Sequence, residues 1–559
     1  MSEVSTSIDP ITLEVVRHKV DGIAEEMETT LLRSSYSTIV KEGLDASASL
    51  FAHTGETLSQ ATAIPIHLST LITVVDCIRA KFPAEMMAPG DLFLMNDPYL
   101  GGTHLPDIGI IMPIFHDGTI VGFSGAMSHH QDVGGMSPGS VPTNAREVFQ
   151  EGLRLPPLRL RQGDQFNETL LDILKLNSRV PDTVIGDIHA QISACSVGAQ
   201  RVSKLAETFG TDRIKAIFEQ LLNESEKLTG AALKSLPQGT FAYEDWLDND
   251  GVMMDQPVKI RATVTIDNGR MKVDFSGSSK QVAGPFNAVP SGALAAAGFA
   301  LRALTGDDIP TNGGCFRVLD LELPKGSIVN PEEPAPVNAR AATIKRMTNV
   351  ILSALREAMP EKIPADPSGE LLILAFGGDR PGGGRFVIND LVTGGTGAGS
   401  SRDGVDVIES DATNCMSLPA EAIEMDAPLR MHRVALRADS GGAGRYRGGL
   451  GTIREYEILA ESVTLTHRGE RHRFPANGAV GGVPGALARS FVLRRNGDIE
   501  EIPSKAVIQL AKGDRVRVET AGGGGFGIPT ERPAPDVESD VLDRKISAAS
   551  AKEIYSTAR

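Results

Sequence analysis

Glycine constrains this chain more than any other feature: 59 of its 559 residues are Gly, while aromatic residues make up only 5%. A backbone so rich in glycine and so poor in rings must run through turns and through loops where main chain approaches a neighbour closely. Such loops often carry binding and catalytic groups. The remaining composition, 41% hydrophobic and 23% charged, is that of a globular protein and excludes a wholly disordered or fibrous one. At roughly 100 to 200 residues per domain, the length allows a few domains or one large interleaved fold.

Lys and Arg number 55 against 71 Asp and Glu, a net charge of −16, so electrostatic capture of nucleic acid or of an anionic membrane is disfavoured. Small molecules and other proteins are the expected partners. Cys77, Cys195, Cys315 and Cys415 stand far apart, which fits neither a zinc ribbon nor a disulfide scaffold and suits a reducing compartment. With no signal-peptide pattern and no apolar run of about 18 residues, the expected location is the cytoplasm.

Apolar residues Leu13, Val16, Val20, Ile23, Met27 and Leu31 recur at helical spacing after Asp9-Pro10, predicting a helix over 10–33. A second helix is expected over 69–81 and a strand over 91–95. Residues 108–115 and 119–127 read as a β-hairpin around Asp117-Gly118. Helices are expected through 168–235, strands through 240–330 with a helix at 292–305, and another helix at 341–358. The fold class expected is mixed α/β (α+β), a large interleaved, multi-lobed fold with a glycine-rich, β-rich C-terminal half. Its parts are an N-terminal α/β metal-binding region (1–235), a β-rich α+β region with glycine-rich loops (236–527) and a peripheral tail (528–559).

The densest run of metal-competent side chains is Thr103-His104-Leu105-Pro106-Asp107, followed across the hairpin by His129-His130-Gln131-Asp132. Imidazole nitrogens and a carboxylate brought to neighbouring strand ends suit a divalent ion. Asp45 is a further candidate whose place spacing cannot fix. The alternative is a set of loop histidines making ordinary hydrogen bonds; His116 reads as an exposed turn residue. Asp132 either orients a ligand imidazole or acts as general base, or else caps the Gly134-Gly135 amides. Glu147 and Glu151 fall four apart on an expected short helix, facing either solvent or the site. Arg340 and Lys345, near Asn338, read as an anion site or, more simply, as a solvated helix start.

Several longer segments resemble the hydantoinase B/5-oxoprolinase family, which includes the metal-bearing subunits of acetone and acetophenone carboxylases and of caprolactamase. They are DPITLEVVRHKVDGIAEEME at 9–28, GDLFLMNDPYLGGTHLPDIGIIMPIF at 90–115, SHHQDVGG at 128–135, REVFQEGLRLPP at 146–157, DSGGAGRYRGGLG at 439–451 and GGGGFG at 522–527. The resemblance implies one divalent ion, Zn2+ or Mn2+, held by Asp45, His104, Asp107 and His129. The family tolerates an aromatic in place of His130, which favours His129 as the ligand. Where the family more often reads Asp-Phe-Ser, this chain has Asp45-Ala46-Ser47. Asp132, Glu151 and His130 are the catalytic candidates; the resemblance favours the active-site reading of Glu151 and turns the protease-like run Asp439-Ser440-Gly441-Gly442 into a structural loop.

The implied function is the hydrolase subunit of a two-component, ATP-dependent hydantoinase, oxoprolinase or lactamase. Its partner, a hydantoinase A-type ATP-binding subunit in an α2β2-like hetero-oligomer, would consume the ATP and activate a cyclic amide by phosphorylation. The absence of a Gly-x-x-x-x-Gly-Lys-Ser/Thr loop from this sequence agrees with that division. The alternatives are the metal-bearing subunit of a ketone carboxylase, although such acetone carboxylase subunits are longer, and a non-catalytic scaffold.

Overall fold

Asp9 opens the first helix by accepting from the Thr12 amide at 2.9 Å, and Pro10 takes the first turn. The helix runs Pro10–Ser34 and buries the expected stripe from Leu13 to Leu31. The structure, a computed structural model, describes residues 8–555 and has a mixed α/β fold containing four sheets.

Seven strands form the first sheet: β1 (Ala46–Ala52), β2 (Thr57–Gln60), β3 (Leu92–Met95), β4 (Asp107–His116), β5 (Thr119–His129), β6 (Leu158–Gln162) and β7 (Gln165–Phe166). Their order is β2-β1-β5-β4-β3-β6-β7, with every neighbouring pair antiparallel. The β4–β5 turn has φ of 47° at Asp117 and 71° at Gly118, the positive pair that matches strand twist in a two-residue hairpin. His116 is the last residue of β4 and its side chain is only 12% exposed, so it is not the exposed turn residue expected. The turn needs only Asp117 and Gly118, which leaves His116 on the strand.

Both faces of this sheet are covered. On one, Leu71, Val74, Val75 and Ile78 of the helix Pro65–Lys81 pack against Phe51, Phe93, Ile111 and Met127. On the other, Leu50, Leu94, Ile110 and Ala126 join a core with Ile188 and Ile192 of the helix Pro181–Phe209. The helix over 69–81 thus begins four residues early, because Pro65 suits a first turn. The helical stretch 168–235 divides into Glu168–Asn177, Pro181–Phe209 and Thr211–Ser235.

A four-stranded sheet follows, from β8 (Gly239–Leu247), β9 (Val258–Asp267), β10 (Arg270–Asp274) and β11 (Leu319–Glu322), with the helix Pro290–Thr305 between β10 and β11. The helix Arg340–Ala354 then leads to β12 (Leu371–Asp379), β13 (Arg385–Thr393), β14 (Leu429–Leu436), β15 (Thr452–Ile458), β16 (Ser462–Arg468), β17 (Arg489–Leu493), β18 (Ile499–Ile502), β19 (Lys505–Ala511) and β20 (Arg515–Glu519). These make two sheets, β13-β12-β16-β19 and β14-β15-β20-β17-β18, that share a core through Leu374, Phe376, Tyr456 and Val516.

Glycine does here what its abundance requires. The Gly523, Gly524 and Gly525 amides donate to the carbonyls of Gly449, Asp366 and Val483, each at 2.9 Å. A Cβ at Gly522 would stand 1.9 Å from the Ser440 carbonyl oxygen, so main chain lies directly on main chain. Ser440 itself accepts from the Gly451 amide at 2.9 Å and donates to the Arg437 carbonyl, the bonds of a structural loop.

Beyond Pro529 the chain forms the helices Ala534–Leu542 and Ala548–Ile554. Asp540 receives Arg532 at 2.8 Å and Arg447 at 3.3 Å, which fastens them to the glycine-rich layer. Among the described residues no helix is long and apolar enough to cross a membrane.

Candidate metal centre

Strand parity decides which polar groups meet. Side chains alternate along a strand, so Asp107 shares a face with Ile111, and His129 shares one with Met127. Asp45, just ahead of β1, follows the parity of Phe51. All three therefore reach the face covered by the helix Pro65–Lys81, and Asp107 stands directly opposite His129 in the β4–β5 register. Leu44, held at φ 54°, turns the chain immediately before Asp45. The Asp45 carbonyl accepts from the His129 amide at 3.0 Å, joining two of the expected residues through the main chain.

His104 Nε2, Asp107 Oδ1 and His129 Nδ1 form a buried triangle with sides of 2.8, 3.2 and 3.2 Å. Asp45 lies at its edge, with Oδ2 4.0 Å from His129 Nδ1. His67, which is not among the residues expected from the sequence, joins the same cluster. Its Nε2 is 3.5 Å from Asp45 Oδ1 and 3.4 Å from Asp107 Oδ2. Burial pulls the His67 imidazole down, but the Asp107 and Asp45 carboxylates outweigh it and raise the pKa. A helix beginning at Pro65 rather than Ser69 was the available signal, since it carries His67 onto the buried helix face.

Arg340 completes the ring, donating to Asp107 Oδ2 at 2.5 Å and to Thr103 Oγ1 at 3.0 Å. Burial favours the acid form of Asp107, yet the positive charge against it, the Arg340 guanidinium above all, holds its carboxyl well below the usual range. The solvated helix start expected of Arg340 and Lys345 is thereby corrected. Arg340 is buried against Asp107, and the buried Lys345 pairs with Glu409 and donates to Thr413 Oγ1 at 3.0 Å. Tertiary partners far along the chain supply the counter-charges that make this burial possible.

The donor chemistry fits a divalent cation. His104 Nδ1 lies 3.1 Å from the Asn338 carbonyl oxygen, an acceptor only, so Nδ1 carries the proton. Burial and the Arg340 guanidinium hold this imidazole well below its ordinary pKa, leaving it neutral with a lone pair on Nε2. That lone pair faces a carboxylate oxygen at 2.8 Å, a repulsive contact that a proton or a metal ion between them relieves. Ligand atoms about 2.1 Å from a shared ion lie roughly 3 Å apart at a right angle, close to the spacing of the triangle.

The other expected residues stand outside the triangle. His130 has the opposite parity and meets Gln191 of the helix Pro181–Phe209, Nε2 to Oε1 at 3.1 Å. Asp132 Oδ1 accepts from the Gly134 amide and Oδ2 from the Gly139 amide, both at 3.0 Å, and Arg179 pairs with Oδ2 at 2.9 Å. Glu151 Oε1 accepts from the Val337 and Asn338 amides at 2.9 and 2.8 Å, and burial pushes its carboxyl up to about 8. Glu147 is exposed at the start of a single 3-10 turn, so it and Glu151 share no helix face.

A cavity opens over the cluster. Asp45, His67, His104 and His129 line one side, while Ile373, Leu391 and their neighbours on β12, β13 and β16 form the other. Fold and site together define a mixed α/β protein with a buried His/Asp cluster beneath a partly apolar cavity. Residues 9–529 match the family described as Hydantoinase B/oxoprolinase, and the chain belongs to that family. A Methanocaldococcus jannaschii protein named uncharacterized protein MJ0963 is 36% identical, over 98% of this chain and 96% of its own length. The beta subunit of caprolactamase from Pseudomonas jessenii is 31% identical, over 98% of this chain and 96% of its own length. The crystal structure of ATP-dependent caprolactamase from the same organism superimposes with a TM-score of 0.92 at 30% identity, covering 98% of this chain and 96% of that one.

Proposed function

We propose that this chain is the metal-dependent hydrolytic subunit of a two-component enzyme that opens a cyclic amide after an ATP-binding partner has phosphorylated it. The observation that carries this reading is the His104–Asp107–His129 triangle, whose facing lone pairs call for a cation. Asp45, His104, Asp107 and His129 would hold one divalent ion, zinc or manganese, both of which suit mixed imidazole and carboxylate donors. Such an ion supplies Lewis-acid chemistry, acidifying water and polarising a carbonyl oxygen.

The protein's own groups prepare that chemistry. Asn338 fixes the His104 tautomer, and Glu151 fixes Asn338 through its amide. Arg340 and His67 hold the Asp107 carboxylate from two sides. His130 and Asp132 support the cluster from behind, the first through Gln191 and the second by tying the 134–139 loop. The apolar wall at Ile373 and Leu391 excludes bulk water from an activated substrate. An unstrained amide is a poor electrophile, and phosphorylation by a partner of the hydantoinase A type supplies the missing activation. A relative that is itself named as one subunit of caprolactamase supports this division of labour.

The test is reconstitution. The purified chain should hydrolyse neither ATP nor an unactivated lactam, and should form a complex with its ATP-binding partner on size exclusion. The complex should open hydantoins, 5-oxoproline or a lactam with ATP consumption and without bicarbonate. Bicarbonate-dependent turnover would mark a ketone carboxylase, and a complex equally active without metal would remove the hydrolytic reading.

A further inference from the structure

Arg468, at the end of β16, is buried beside the candidate metal centre without a counter-charge. It is 4% exposed, donates through Nη1 to Asn338 Oδ1 at 2.8 Å, and its Nη2 has no hydrogen-bond partner. It makes no ion pair within 4.0 Å among the described residues. Of the carboxyls that act on it, Asp107 is paired with Arg340, and Glu151 accepts two main-chain amides at Oε1 while its Oε2 makes no hydrogen bond to Arg468. A buried guanidinium left in this state is costly unless something pairs with it.

Asn389 on β13 repeats the pattern. Its side chain is 1% exposed, and neither Oδ1 nor Nδ2 has a partner. Gly139 permits the close contact that holds it, because a Cβ there would stand 2.4 Å from Asn389 Oδ1. Both residues line the same cavity as His104 and His129. Two buried polar side chains without protein partners, facing one cavity, call for a ligand or bound water to meet them.

We propose that Arg468 Nη2 and the Asn389 carboxamide form the subsite for an anionic oxygen group of the substrate, carried into the cavity beside His104 and His129. Arg468 supplies the charge and a charge-assisted N–H, strengthened by the apolar wall, and Asn389 adds a neutral donor and acceptor that fix orientation. Such an oxyanion has two sources, a phosphoryl group installed on the amide oxygen or a carboxylate native to the substrate. The inference rests on reading this cavity as the active site.

Titration calorimetry on the metal-loaded chain with inorganic phosphate, and separately with acetate, tests it. Wild type should bind at least one of the two. Phosphate binding alone identifies the phosphoryl source, and acetate binding of equal strength identifies the carboxylate. At unchanged metal content and near-UV circular dichroism, Arg468→Gln should weaken binding at least tenfold, Asn389→Leu severalfold, and Arg468→Lys should recover part of the loss. Equal metal content matters because phosphate also ligates metal ions; if Arg468→Gln does not fold, Asn389→Leu decides. Wild-type affinity in the folded variants, or no binding of either anion by wild type, overturns the subsite. If ring opening proves independent of metal while anion binding still depends on Arg468, the proposed function fails and the subsite stands. The reverse pattern removes the subsite alone.

Discussion

His104 and Asn338, 234 residues apart in sequence, are joined by a 3.1 Å contact between imidazole Nδ1 and the main-chain carbonyl oxygen. That single contact sets the tautomer of His104 and aims Nε2 at Asp107 and His129.

If these three atoms hold an ion, removing one imidazole deletes a coordinate bond. His104→Ala and His129→Ala should purify with strongly reduced zinc or manganese and without ring-opening activity, while the fold persists. His116→Ala should keep both metal and activity. His130→Ala should keep its metal, because that ring faces Gln191 instead, and should lose roughly 1 to 3 kcal/mol of stability. Elemental analysis decides; full occupancy in His104→Ala and His129→Ala would remove the ion from this place.

His67 contacts both carboxylates of the cluster without belonging to the triangle. Replacing it should weaken metal affinity by about 10- to 100-fold rather than abolish it, the scale set by groups that orient ligands. Competition with a chelator measures this for His67→Gln. An unchanged dissociation constant would show that Asp45 and Asp107 are held well enough without it.

Buried carboxyls give stability a definite pH slope. Burial pushes Glu151 and Glu370 up to about 8 and Glu28 to about 7, against an ordinary 4.5. Between the unfolded and folded values the folded chain retains protons that the unfolded chain has released, so the stability these three groups contribute is full below pH 4.5 and is lost as pH rises through 7 to 8. Calorimetry should show Tm declining from pH 6 to pH 9. Glu151→Gln should flatten that decline by a few degrees, and an identical slope in the variant would refute the assignment.

Glycine substitutions separate two uses of the residue. Gly22, inside the first helix, has nothing within 4 Å of the place a Cβ would occupy, so Gly22→Ala should stabilise by about 1 kcal/mol. At Gly522 the Cβ would meet the Ser440 carbonyl at 1.9 Å, so Gly522→Ala should cost more than about 3 kcal/mol or prevent folding. Urea denaturation of both variants checks the contrast; a tolerated Gly522→Ala would mean that the layered loops can separate.

Much of the fold was legible locally because local chemistry decides it. The Asp9-Pro10 cap, the apolar stripe from Leu13 to Leu31 and the Asp117-Gly118 turn each need only near neighbours. The pairing of Asp107 with His129 followed from that hairpin, and strand alternation separates His129 from His130 once the register is known. What the chain could not reveal on its own were groups whose partners lie far along it. His67 falls ahead of the helix expected over 69–81, and nothing near it in sequence points to Asp45 and Asp107, which β1 and β4 bring to it. Arg340 and Lys345 read as solvated until Asp107 and Glu409 appear beside them. Sequence periodicity determined the elements and the hairpin that pairs two of the cluster's residues. Only the tertiary structure decided which charges are buried together, because the field at a buried group is set by neighbours in space, whatever their distance along the chain.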